Sequence, residues 1–317
     1  MRLRDVFFNQ FGRLRSGWRL GLYILLCILI SIFMEVGLRV VYAVGRNYVP
    51  PFRYAGYAAD FAYRVTFLAT GLGAGYLCAR FLEGLPWRSL GLTLHQRWVR
   101  DLIVGSVVGI AGLALAVVIA MSNGALRFSL VRSEMVAASV RSLITSSALL
   151  FVAALAEEAA FRGYPLQTFA RARLAVFGVL VTSVPFGLIH LGNPNVSIVA
   201  LVNTILAGVW LGVAYLKTRS LWFPLGVHWG WNFALGWIFG LPVSGVRLVS
   251  SSLLRGDDLG PVWLTGGNYG IEGGVAGTLA MIAFTFVTWF IPVVSPTPEL
   301  LKLTSEENPA LPSRVSA

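Results

Sequence analysis

The 317-residue chain holds 25 Lys or Arg and 14 Asp or Glu, so only 12% of it is charged while 56% is apolar, and its mean hydropathy is +0.74. A soluble domain is about one quarter charged, and a chain this apolar lacks the polar surface to cover a soluble exterior; disorder would need the opposite bias. The net charge of +11 would suggest a nucleic-acid partner in a soluble chain. Here the basic residues lie between apolar segments, which ties them to topology and lipid headgroups and excludes nucleic acid.

In chain order, a basic segment (1–19) precedes a first span at 20–44. That stretch reads as a retained anchor and not a cleaved signal peptide, because it is long and carries Glu35 and Arg39. Further spans of about 20 mostly apolar residues are expected near 56–79, 102–122, 142–168, 174–191, 196–216, 220–240 and 275–294. The charge-free stretch 174–216 is long enough for two of them, joined at the Gly192–Asn195 turn. The reading is an all-α, polytopic membrane bundle of about eight helices: one transmembrane unit over 20–294, a catalytic core at about 142–240, and a flexible tail at 295–317. The Gly-rich 241–274 loop is the one sizeable external segment and is placed to cap the bundle. No 20–50-residue repeat is present. Cys27 and Cys78 lie inside apolar stretches, so no disulfide framework or cysteine metal site is expected.

Alternating the loops divides the basic residues 16 to seven between the two sides, with Arg39 and Arg64 inside spans. Both termini belong to the richer side, and the expectation is a bacterial cytoplasmic membrane with both termini cytoplasmic.

Ionisable residues at membrane depth are costly, so each is a functional candidate. Glu35 and Arg39, and likewise Asp60 and Arg64, are spaced i,i+4 toward the outer helix ends and are expected as a structural charge cluster. The fourth span is different. Glu158 and Arg162 share a face at i,i+4, whereas Glu157 points about 100° away and is left as a free carboxylate in a poorly solvated setting. His190 and His228 fall in later spans, and His228 and Asn232 are again i,i+4. The set suits hydrolysis. Glu157 takes a proton from water, His190 holds the water or polarises the attacked group, and His228 and Asn232 donate to the oxyanion. No serine-hydrolase elbow, P-loop or dinucleotide motif is present.

Glu157/Glu158/Arg162, Phe186/His190 and His228/Asn232, in that order on successive apolar segments, resemble the three motifs of the CPBP family, the type II CAAX prenyl proteases and bacteriocin-processing or immunity proteins. The resemblance implies an eight-helix intramembrane endopeptidase whose cavity opens to the cytosol and the membrane. It makes Glu157 the base, His190 its assistant and His228 with Asn232 the oxyanion site, with Glu158, Arg162 and Phe186 supporting. Its substrate would be a membrane-associated, prenylated or otherwise lipid-modified peptide, with membrane lipids as the other partner. No cofactor is expected. A zinc version would use Glu157, His190 and His228, but no HExxH fixes two ligands on one turn. The competing classes are a proton-coupled transporter and a non-catalytic immunity protein.

Overall fold

The computed structural model describes residues 3–48, 56–131 and 136–305. Arg2, Arg53, Arg132 and Arg314, which entered the expected topology, and the tail beyond residue 305 lie outside the described residues. A short helix α1 (Leu3–Phe7) leads into α2 (Ser16–Tyr48), α3 (Gly56–Glu83) and α4 (Trp98–Ser122). α5 (Val136–Glu158) passes through a π turn, Ala159–Gly163, into α6 (Tyr164–Arg171). α7 (Ala175–Leu188), α8 (Ile198–Thr218) and α9 (Trp222–Phe233) follow, and α9 runs on into a second π turn, Ala234–Ile238. The 241–274 segment holds a one-turn helix α10 (Val262–Thr265), and α11 (Val275–Phe290) and α12 (Pro298–Thr304) complete the described chain. The one sheet among the described residues is a two-stranded antiparallel ribbon, β1 (Leu126–Leu130) with β2 (Leu254–Asp258), outside the helices.

The chain is an all-α polytopic membrane bundle. Among the described residues six helical stretches are long and apolar enough to cross a membrane: Ser16–Gly45, Asp60–Glu83, Trp98–Ser122, Val136–Arg171, Ala175–Gly192 and Ile198–Thr218. The last two spans expected from the sequence are shorter than foreseen. α9 with its π turn covers 222–238, and α11 covers 275–290. α11 stops because Ile291, which precedes Pro292, is driven out of helical geometry to ψ 122°. α2 shows the lipid-facing pattern plainly, with Leu25, Ile28, Leu29, Ile32 and Phe33 all exposed.

The core lies among α4, α8, α9 and α11, where Leu113, Trp210, Leu211, Phe223 and Trp231 pack together. α4 and α9 touch backbone to backbone. A Cβ at Gly105 or Gly109 would run into the carbonyls of Phe223 or Val227, and one at Gly226 or Gly230 into those of Leu102 or Ser106. Lipid tails are as apolar as leucine, so small residues that permit close van der Waals approach drive helix pairing in membranes.

The end of the bundle that carries the described termini is closed by ion pairs and hydrogen bonds. Arg19 and Arg171 both bind the fully buried Glu83, which also accepts a hydrogen bond from Thr168 Oγ1 at 2.9 Å. Arg88 pairs with Glu299 at 2.6 Å, so the segment expected as a flexible tail begins with a docked helix, with Leu300 and Thr304 buried. At the opposite end Glu35 and Arg39 form their i,i+4 pair on the exposed face of α2.

Gly109→Val should separate α4 from α9 and lower the detergent melting temperature by 5 °C or more, on the order of a severe packing defect of a few kcal/mol. Gly37→Ala, which meets nothing within 4 Å, should leave it unchanged in the same thermal-shift measurement.

Candidate active site

The π turn after α5 sets the local register. In a π turn a carbonyl is served by the N–H five residues on; for Ala160 that residue is Pro165, which has none. The Tyr23 hydroxyl from α2 donates to the Ala160 carbonyl instead, at 3.0 Å. The turn packs tightly on α3, where a Cβ on Gly71 would come within 3.2 Å of the Ala160 backbone. Glu157 and Glu158 therefore sit at the junction of a regular helix and a wide turn, with Arg162 inside that turn.

The two carboxylates are treated differently. Glu158 is fully buried, and its Oε1 accepts from Arg162 Nη1 at 3.0 Å and from His228 Nδ1 at 2.9 Å. Arg162 also donates through Nη2 to the Gly208 carbonyl of α8 at 3.1 Å and lies 4.3 Å from the centre of the Phe186 ring. Glu157 keeps 19% of its side chain exposed, and its Oε2 lies 3.7 Å from His228 Nε2 with no hydrogen-bond partner among the described residues. His228 is thus held between the acids, one imidazole nitrogen toward each.

A cavity of about 470 Å³ runs from this point, lined by Glu157, His190, His228 and Asn232 together with Asp60 and Arg64. His190 reaches it because α7 ends at Leu188 and a 3₁₀ turn, Ile189–Gly192, carries the imidazole round. Its Nδ1 lies 2.8 Å from the Phe186 carbonyl. A carbonyl only accepts, so Nδ1 carries the proton and the neutral ring leaves Nε2 as an acceptor. Phe186 is the common neighbour, its ring centre 5.1 Å from that of His190 and 6.0 Å from that of His228. The Gly192–Asn195 turn is docked against the 241–274 segment: Asn193 Nδ2 donates to the Ser244 carbonyl at 3.0 Å, and Gly245 (φ +84°) packs against the Pro194 carbonyl, where a Cβ would collide. Asn193 is half-buried there, while Gly192, Pro194 and Asn195 are exposed.

Residues 139–234, which contain Glu157, Glu158, Arg162, Phe186, His190, His228 and Asn232, match the family model described as Type II CAAX prenyl endopeptidase Rce1-like. The match covers less than a third of the chain and supports assignment of this segment to the CPBP, or CAAX-protease, family. At family level it supports an intramembrane protease of the CAAX type. No curated protein and no solved structure matches the chain.

Around this segment the structure revises two expectations and adds one residue. Arg162 is an interior residue with no exposed side-chain surface, not a loop residue of the basic side. Asp60 and Arg64 form no ion pair among the described residues. Both line the cavity, and Arg64 Nε is buried without a hydrogen-bond partner; a cavity wall lets each side chain face solvent or ligand in place of the other. Glu272 was not singled out from the sequence, since it sits alone in a Gly-rich stretch, yet it anchors the cap. Its Oε1 accepts from Trp231 Nε1 at 2.8 Å and its Oε2 from the Ser244 N–H at 2.6 Å, and it borders a narrower chamber shared with His190, His228 and Asn232.

Among the described residues no three His, Cys, Asp or Glu side chains are grouped closely enough to hold a metal ion; with Nδ1 of His228 and of His190 engaged by Glu158 and the Phe186 carbonyl, Nε2 is the nitrogen each ring leaves free.

Removing one member of a buried ion pair strands the other, at a cost of about 3–5 kcal/mol. Arg162→Met should therefore abolish a cooperative thermal transition or lower it by more than 10 °C in detergent. Glu272→Gln, which keeps one acceptor, should shift it by a few degrees only.

Proposed function

We propose that the chain hydrolyses a peptide bond of a membrane-associated substrate with water activated by Glu157 and without a metal cofactor. The observation that carries this reading is the pairing of unlike acids: Glu158 fully buried with its Oε1 bound by Arg162 and His228, and Glu157 beside it, partly exposed on the cavity wall with no arginine partner.

The steps follow from the atoms present. The attacking water gives one hydrogen bond to Glu157 and the other to Nε2 of His190, the acceptor left by its bond to Phe186. Glu157 takes the proton as oxygen attacks the carbonyl carbon, and the C=O electrons pass to the carbonyl oxygen. Asn232, which makes no hydrogen bond to the described residues, donates to that oxyanion through Nδ2. His228 donates from Nε2, a role that requires the imidazolium form because Nδ1 already serves Glu158. Collapse of the tetrahedral intermediate breaks the C–N bond, and Glu157 returns its proton to the leaving amine. Phe67, Leu150, Ile189 and Val243 on the same wall suit a peptide with an apolar attachment, such as a prenylated or otherwise lipid-modified one.

In a detergent assay with a quenched peptide, Glu157→Gln should lower kcat by about 10³-fold or more, within the range for loss of a general base. His228→Ala and Asn232→Ala should each cost about 10²–10³-fold, as for loss of an oxyanion donor. Exhaustive chelation should leave the wild-type rate unchanged; loss of activity on chelation and its recovery on adding zinc would replace this mechanism with a metal one. Proton-linked uptake into liposomes that stops in Glu157→Gln, with no cleavage, would replace the peptidase by a transporter.

A further inference from the structure

Two expectations drawn from the sequence cannot both hold. The distribution of basic residues places both termini in the cytoplasm, and the family resemblance places the opening of the cavity there too. The structure puts the termini and the cavity at opposite ends of the bundle.

The end that carries the described termini is tied together by chain segments meeting there. Glu83 at the close of α3 binds Arg19 and Arg171, Arg88 binds Glu299, Arg97 donates to Ser295, and Lys217 donates to the Trp289 carbonyl. None of these residues lines the cavity. The wall is built from the start of α3 (Asp60, Arg64), the turn after α7 (His190, Asn193) and the loop after α9 (Ser244, Val246). These segments adjoin the connections at the other end. The catalytic candidates lie at mid-depth, with the cavity rising from them: Gly71, near the middle of α3, is level with Ala160, and the wall residues of α3 all precede it.

With Arg162 in the interior, thirteen of the described basic residues flank the terminal end and five the cavity end by position in the chain. Lys and Arg in short loops and near helix ends are retained on the cytoplasmic side, and all the loops at the terminal end are short. The cavity end also carries the ribbon of β1 and β2 and the 241–274 cap, the one sizeable segment outside the long helices among the described residues.

We infer that the catalytic cavity opens on the extracytoplasmic side of the membrane, and that its substrate is a peptide segment presented there, at the outer leaflet or on a polypeptide already carried across. The orientation rests on charge and fold alone; the identity of the substrate as a peptide rests on the function proposed above. An enzyme so placed acts after export, on a chain whose attachment or hydrophobic end lies in the outer leaflet, and receives no cytosolic peptide.

The test uses the full chain in intact cells with Cys27→Ala and Cys78→Ala as background. Arg247→Cys in the exposed part of the cap and Val246→Cys on the cavity wall report one end, and Leu94→Cys, exposed between α3 and α4, reports the other. A charged, membrane-impermeant maleimide should label Arg247→Cys and Val246→Cys without permeabilisation and Leu94→Cys at least tenfold less until the membrane is opened. Labelling of Leu94→Cys first, or equal labelling of both ends, overturns the inference. In sealed vesicles an impermeant quenched peptide should be cleaved from the face that labels Arg247→Cys and not from the other; cleavage from the Leu94 face overturns it as well. If no peptide is cleaved in vesicles or in detergent, the peptidase reading fails, and the labelling still decides the orientation.

Discussion

A carboxylate with no exposed surface inside a membrane bundle has to be answered by charge, and the answer to Glu158 organises this protein. Its Oε1 takes hydrogen bonds from Arg162 and from His228. Arg162 passes the constraint on, through Nη2 to the Gly208 carbonyl of α8 and through its guanidinium face to the Phe186 ring of α7. Four helical elements are thereby held at fixed distances around one atom. A surface ion pair could not do this, because solvent would screen it and side-chain entropy would oppose it. Buried, the charge cannot relax into water, so the geometry is strongly specified while both partners remain.

The consequence for chemistry lies in the neighbouring residue. Because Glu158 absorbs both the arginine and the inner nitrogen of His228, Glu157 stays on the cavity wall with the other imidazole nitrogen beside it. Two adjacent acids, identical in composition, become a structural anion and a candidate base through a difference of about 100° around a helix. The π turn helps, because its wider step carries Arg162 and the chain beyond it off the regular register just after the pair, and Tyr23 supplies the hydrogen bond that Pro165 cannot.

The fold also separates its charges by use. At one end Arg19, Glu83 and Arg171 form a closed, buried cluster that joins α2, α3 and α6. At the other, Asp60 and Arg64 stay apart on the cavity wall, and Glu272 ties the cap to Trp231 next to Asn232. The basic excess lies at the closed end and the candidate site rises toward the open one, so charge and cavity occupy different faces of the bundle.

Much of this was legible in the amino-acid order. Six long helices follow from hydropathy, because a chain in lipid must satisfy its backbone within each segment. The Glu158–Arg162 pair follows from helical spacing, and so does the shared face of His228 and Asn232. Local periodicity carries no information about where a helix stops short. His190 therefore stood at the far end of its span until the turn at Ile189–Gly192 brought it to the cavity, and α11 proved shorter once Pro292 had taken effect. Nor could periodicity reveal that Asp60 and Arg64 line the cavity, or that Glu272, isolated among glycines, is an anchor. The sequence alone determined the membrane bundle, the separation of Glu157 from Glu158 and the basic side, since each depends on neighbours within a turn or on counts along the chain. Only tertiary structure decided which side chains share a cavity and at which end it opens, because those depend on contacts between segments tens of residues apart.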